Sequence, residues 1–180
     1  MELIKIEKSE FDAIYAHLEK NFIQDERRDF ADAKALLENP DFAVYHTVEG
    51  ENKIGFITLW SFENFDFIEH FVTYEAYRNQ GYGTKVIELL RNSGKALVLE
   101  AELPKDDIQK RRISFYERNG FVQNSAPYVQ PPYRSGEDGV SMVLMSYPCA
   151  LMDYDGAVKR IYKKVYNVNY EKNTHNAQYL

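Results

Sequence analysis

Residues 65–91, FDFIEHFVTYEAYRNQGYGTKVIELLR, constrain the chain more than any other stretch. The run from Phe65 to Tyr74 reads as an apolar strand, and a short loop, Arg78-Asn79-Gln80-Gly81-Tyr82-Gly83, follows it. An amphipathic helix comes next, with Tyr82, Val86, Leu89 and Leu90 on one face and Asn92-Ser93-Gly94 as its stop. A glycine-rich turn between strand and helix leaves backbone N–H groups uncovered where the helix dipole is positive. Such a turn is a ready anion site, best suited to phosphate. It is not a dinucleotide fingerprint, because the third glycine is missing, and no Gly-Lys-Ser/Thr follows to make a P-loop. Taken alone, the loop also fits an ordinary left-handed turn entering a helix.

The remaining elements follow from hydrophobic period. Leu3 to Glu7 alternates like a half-buried strand, and Ser9 is placed to cap a helix carrying Phe11, Ile14, Tyr15, Leu18 and Phe22. A second helix is expected over Asp25 to Glu38, with Arg27, Arg28 and Asp29 on a solvated face. Phe42–Val48 and Lys53–Trp60 make a hairpin across Glu49-Gly50-Glu51-Asn52, and Phe65–Tyr74 is its third strand. Ala96 to Glu100 reads as a short buried strand, parallel to the strand before the glycine loop. A helix opens near Asp106 or Asp107 and closes at Asn119-Gly120. Phe121–Tyr128 and Val140–Tyr147 are two further strands, joined by a long loop, Gln130 to Gly139. A C-terminal helix carries Val158, Ile161, Tyr162 and Val165, ahead of a polar end. The expected architecture is one α+β domain over residues 1–180, with a core of about 3–147 and a C-terminal helical extension.

Charge and composition narrow the partners. A net charge of −6 with no basic stripe argues against nucleic acid. The N-terminus MELIKIEKSE lacks an apolar core, and no apolar run approaches ~18 residues, so neither a signal peptide nor a membrane span is expected. The single cysteine, Cys149, fits a reducing compartment, and a cytoplasmic protein is expected. His17, His46, His70 and His175 show no metal-ligand spacing, so no metal is expected.

A second motif, Arg112-Ile113-Ser114-Phe115-Tyr116-Glu117-Arg118-Asn119-Gly120-Phe121, lies about thirty residues beyond the first. With both in view, the chain resembles the GNAT superfamily of N-acetyltransferases. Residues 78–83 match its acyl-CoA loop, R/Q-x-x-G-x-G/A, and residues 115–121 match its helix-end signature, FYe-x-x-GF. The element order from about Leu3 to Tyr147 fits as well. The resemblance implies a mixed, mostly antiparallel sheet flanked by helices, with a splayed central strand pair that opens a slot for the cofactor arm. It also implies acetyl-CoA as co-substrate and an amine acceptor that attacks it directly in a ternary complex.

Residue by residue, the resemblance gives Arg78, Asn79, Gln80, Gly81, Tyr82, Gly83 and Thr84 to the CoA pyrophosphate. It gives the backbone of Phe71, Val72 and Thr73 to the pantetheine arm, and Tyr116 the role of proton donor to the departing thiolate. The chemistry adds a constraint of its own. An amine of pKa ~10 must shed about three pK units of proton affinity, or about 4 kcal/mol, to attack at neutral pH. Two carboxylates are candidates for the base. Regular alternation puts Glu69 on the face of Phe67, Phe71 and Thr73 and turns His70 away, while the bulge that the family has in this strand would invert the reading for His70; Glu100 ends the next strand. Glu69 is favoured, since a carboxylate on an apolar strand face is costly unless partnered or functional.

Two positions depart from the family pattern, which commonly has Asn seven residues before the tyrosine and Ala four before it. Here they are Gln109 and Arg112. Gln109 can still reach a cofactor, and Arg112 either touches a phosphate or acidic group or is solvated, since no carboxylate fills its helical neighbours. Tyr128 and Tyr133 border the expected acceptor side, as packing for an amine or as surface residues. Tyr154, Tyr162 and Tyr166 could cover a neighbouring subunit in a homodimer. A CoA-sensing module without catalysis, or transfer of a longer acyl chain, are the alternatives to acetyl transfer.

Overall fold

The computed structural model describes residues 1–134 and 136–170. The fold is α+β, with a mixed, mostly antiparallel sheet and helices. The chain divides into two compact units, Met1–Leu97 and Val98–Leu180.

The first unit contains β1 (Glu2–Lys5), α1 (Phe11–Asn21), α2 (Phe30–Ala35), β2 (Phe42–Glu49), β3 (Asn52–Ser61), β4 (Phe65–Thr73) and α3 (Tyr82–Arg91). The strands form an antiparallel meander in which β1 pairs with β2, β2 with β3 and β3 with β4. Phe11, Ile14 and Leu18 of α1, Phe56 and Trp60 of β3, Phe67 of β4, and Val86, Ile87 and Leu90 of α3 are buried in its core. Gly55 is required by close approach, because a methyl group there would lie 1.9 Å from the Val72 carbonyl oxygen.

Two helical expectations change here. Ser9 caps nothing. A 3-10 turn, Lys8–Glu10, precedes α1, and Glu7 and Glu10 cap it reciprocally. The helix expected over 25–38 is broken into a 3-10 turn at Gln24–Glu26, α2, and a second 3-10 turn at Leu36–Glu38. Arg27 and Asp29 are extended between them. The cause is tertiary. Tyr15 Oη donates to the Arg28 carbonyl at 2.9 Å and accepts from Arg27 Nη1 at 2.8 Å, which pulls both arginines inward from the expected solvated face.

The strand before the glycine loop is not regular. Leu59 lies opposite Ile68, yet Thr58 lies opposite His70, so Glu69 is an extra residue and β4 bulges there. A one-residue insertion exchanges the faces that follow. His70 therefore joins Phe67 and is buried, opposite to its expected direction, while Phe71 and Thr73 turn to the other face.

The second unit takes up β5 (Ala96–Glu102) from Val98 and continues through α4 (Asp107–Arg118), β6 (Val122–Gln123), β7 (Tyr128–Gln130), β8 (Val140–Tyr147), α5 (Tyr154–Ile161) and a π-helical turn, Tyr162–Tyr166. β8 lies between β5 and β6 and also pairs antiparallel with β7. Asp106 caps α4 as expected, accepting the Gln109 N–H at 2.7 Å. The single strand expected over 121–128 is instead two. Asn124 interrupts it by turning inward, where Nδ2 donates to the Leu144 carbonyl and Ser146 Oγ at 3.0 Å each, and Oδ1 accepts the Leu151 N–H at 2.8 Å.

Candidate active site

The chemistry-bearing residues fall into three groups. The first is the glycine loop. Asn79 and Gly81 adopt left-handed conformations, with φ of 61° and 80°, and Gly81 is the N-cap of α3. Arg78 braces the loop rather than reaching out of it: Nε donates to the Thr73 carbonyl at 3.1 Å and Nη2 to Asn21 Oδ1 at 2.7 Å. Gln80 likewise turns back, donating to the Ala76 carbonyl at 2.8 Å. The backbone N–H groups of residues 79–84 have no acceptor among the described residues, while Lys85 N–H closes the first helical bond to the Gly81 carbonyl. The loop thus presents a run of open backbone N–H groups at the N-terminus of α3, the arrangement an anion site needs.

The second group surrounds Glu69, whose side chain is only 2% exposed. One carboxylate oxygen accepts from Arg28 Nη1, and the other accepts from Trp60 Nε1 at 2.9 Å. The Arg28 side chain is 11% exposed, and its guanidinium lies 5.6 Å from the centre of the Trp60 ring. Burial acts to raise the Glu69 carboxyl, but the Arg28 charge, His70 and the two donors outweigh it and hold the group below the ordinary carboxylate range. His70 Nε2 lies 3.2 Å from the Glu26 carbonyl, and Nδ1 lies 3.1 Å from Thr58 Oγ1. The network assigns the proton to Nε2, leaving Nδ1 to accept from the threonine. Burial pushes this imidazole below its usual value, against the pull of Glu69. A small cavity lined by Phe11, Leu18, Phe42, Thr58, Glu69 and His70 adjoins the cluster.

The third group lies on β5 and α4 and in the C-terminal segment. Tyr116 is buried at 8% exposure, its ring edge-on to Phe115 and Phe121. Burial pushes its phenol up to about 12, partly offset by the Arg112 charge, so the hydroxyl keeps its proton at neutral pH. Glu100 is half-buried. Tyr128 Oη donates to one of its oxygens, and Tyr166 Oη donates to the other at 2.6 Å. Burial first, and then the Glu100 charge, raise Tyr128 well above the ordinary phenol value.

Arg112 pairs with Glu102, two residues beyond Glu100 on the same strand, a partner that helix neighbours could not reveal. Gln109 is occupied in the cap of α4: its Oε1 accepts from the Lys105 N–H at 2.8 Å and the Asp106 N–H at 3.1 Å. Tyr128 is a core residue rather than a surface one. Tyr154, Tyr162 and Tyr166 are engaged within their own unit, at the Pro127 carbonyl, the Val129 carbonyl and Glu100 respectively. Arg28, Trp60 and Tyr166 were not singled out as site residues from sequence, and no local pattern marks them. Each acts across 9 to 66 positions of chain.

Among the described residues, no group of three or more His, Cys, Asp or Glu side chains could hold a metal ion. His175 lies outside the described residues. No helix among them is long and apolar enough to cross a membrane.

The loop between β4 and α3 presents open backbone N–H groups, and α4 carries a buried, protonated tyrosine near its end. Comparison with known proteins gives the class. The family model for the acetyltransferase (GNAT) domain matches residues 40–123. A Bacteroides thetaiotaomicron structure, assigned as an acetyltransferase to the GNAT family, is 33% identical, with a TM-score of 0.85 over 94% of this chain and 100% of that one. The chain belongs to the GNAT family of acetyltransferases. YjbC of Bacillus subtilis (strain 168), itself assigned as an acetyltransferase, is 33% identical over 110 residues, or 59% of this chain. That match spans 55% of the length of YjbC. A Bacillus subtilis acetyltransferase in complex with CoA shares the fold at 15% identity, with a TM-score of 0.53 over 81% of this chain and 95% of that one.

Proposed function

We propose that the protein is an acetyl-CoA-dependent N-acetyltransferase acting on a primary amine by direct attack in a ternary complex. The observation that carries this reading is Tyr116, an acid held protonated by burial at the position the family uses for its proton donor. Backbone N–H groups of residues 79–84 hold the CoA pyrophosphate, and the backbone of Phe71, Val72 and Thr73 pairs with the pantetheine arm. The amine nitrogen attacks the thioester carbonyl carbon, so a C–N bond forms and the C–S bond breaks. The amine gives up its proton to a carboxylate, and the departing thiolate takes one from Tyr116 Oη.

Glu69 and Glu100 are the two candidates for that carboxylate. Glu69 is enclosed and paired with Arg28, which favours its charged form. Glu100 is half-buried, with Tyr128 and Tyr166 donating to its oxygens, and is the second candidate. Gln109 and Arg112 are engaged with the α4 cap and with Glu102, so their part in CoA binding is secondary to that of the loop backbone.

Titration calorimetry with acetyl-CoA, followed by a thiol-release assay across a panel of amines, tests the proposal. Binding together with amine-dependent release of CoA is expected. No heat at millimolar acetyl-CoA would overturn the transferase reading. Binding without release to any amine would leave a CoA-sensing module in its place.

A further inference from the structure

The family model begins at residue 40, so α1 lies ahead of the stretch it matches, yet the end of this helix is tied to the glycine loop. Asn21, the last residue of α1, turns its side-chain amide back to donate to the His17 carbonyl at 2.7 Å. Its Oδ1 accepts from Arg78 Nη2, also at 2.7 Å. The same guanidinium donates through Nε to the Thr73 carbonyl at 3.1 Å. One side chain thus joins the loop to the end of β4 and to α1. One turn back along α1, the His17 ring lies against Tyr74, with centroids 4.3 Å apart. Lys20 and Glu75, 3.4 Å apart and well exposed, add an ion pair worth little in water.

The loop needs such a hold. Asn79, the residue after Arg78, has φ of 61°, a left-handed conformation that asparagine tolerates but does not prefer. Backbone of this kind persists where the contacts around it over-determine it. Gln80 braces the loop from within, at the Ala76 carbonyl, while Arg78 carries the brace to other elements. We propose that Asn21 is a positioning residue for the cofactor: it holds the Arg78 guanidinium in the brace that fixes the glycine loop, and so raises the affinity for the CoA pyrophosphate from outside the loop. This inference rests on the proposed reading of residues 79–84 as the pyrophosphate site. An Arg78 that bound phosphate directly would have to leave Asn21. The two roles therefore predict opposite effects of removing the asparagine side chain.

Asn21→Ala deletes the acceptor, keeps the Arg78 charge and places a good helix former at the end of α1. Calorimetry with CoA, at a temperature where circular dichroism shows parent and variant fully folded, is expected to give a Kd about tenfold higher for the variant. In the thiol-release assay KM for acetyl-CoA should rise by a similar factor, with kcat within about twofold of the parent. In an Arg78→Ala background, Asn21→Ala is expected to change Kd by less than about twofold, because the group it holds has gone. Lys20→Ala, at the neighbouring position, is expected to leave Kd within about twofold. CoA binding by Asn21→Ala that is unchanged or tighter would overturn the inference. A tenfold loss that persists in the Arg78→Ala background, or an equal loss from Lys20→Ala, would make the end of α1 a general scaffold and overturn it too. Failure of the parent chain itself to bind CoA would instead strike the reading of the loop as a pyrophosphate site.

Discussion

Tyr116 shows how burial prepares an acid. A phenol raised to about 12 is a reluctant donor to water but a secure holder of its proton at pH 7. In the proposed reaction the departing thiolate takes its proton from this hydroxyl. Tyr116→Phe removes the proton and keeps the ring, so kcat is expected to fall by about 100-fold while CoA affinity, by calorimetry, stays near the parent value. An unchanged kcat would show that the thiolate leaves without help from this side chain. Arg28 and Glu69 illustrate the opposite case, a charge pair enclosed by the fold. With side-chain exposures of 11% and 2%, neither partner tolerates loss of the other. Arg28→Ala is expected to destabilise the chain by about 3–5 kcal/mol in urea denaturation, because the Glu69 charge is left buried. A loss below about 1 kcal/mol would mean that water reaches the carboxylate.

At the scale of elements, the glycine loop and α4 were legible because their signals are local. Gly81 supplies the left-handed cap of α3, and Asp106 with Gln109 spells a capping box within four residues. The bulge in β4 follows from the family resemblance but not from the residues themselves, since period-two alternation carries no mark for one extra residue. Everything after Glu69 was consequently assigned to the wrong face. The broken α2 region failed for a related reason: Arg27 and Arg28 look like a solvated helix face until Tyr15 and Glu69, far along the chain, are placed against them. The Glu100 site was half legible, as a carboxylate at a strand end, while its two tyrosines lie 28 and 66 positions away. The loop itself gives a clean test. At φ of 80°, Gly81→Ala is expected to cost about 1–2 kcal/mol of stability, since an L side chain crowds its own carbonyl in that region. A Cβ at Gly81 meets no other residue's atom within 4 Å, so the cost is local backbone strain rather than a clash with neighbouring elements. Acetyl-CoA affinity should fall in step as the N–H groups lose their common aim. Unaltered affinity in a destabilised variant would show that the cradle does not depend on this conformation.

For the whole molecule, pH acts on stability through buried groups with displaced titrations. Two buried histidines, His46 and His70, are both pushed below their usual value, in each case chiefly by burial. An unfolded chain takes up protons at these residues near pH ~6.5, while the folded chain does not do so until a lower pH. Within that window the unfolded state binds more protons, so stability is complete above about pH 6.5 and declines as the solution is acidified. Carboxylates such as Glu10, lowered to about 2 by its hydrogen bond to Lys53 and by further contacts, add their own loss at lower pH still. Acid sensitivity should therefore begin above the carboxylate range. The melting temperature is expected to fall between pH 7 and pH 5 by scanning calorimetry. His70→Asn, although less stable throughout, is expected to show a shallower decline over that interval because one titrating group is gone. Parallel curves for the parent and the variant would mean that His70 protonates equally in both states, and that its enclosure by Thr58, Glu69 and Glu26 does not govern its charge.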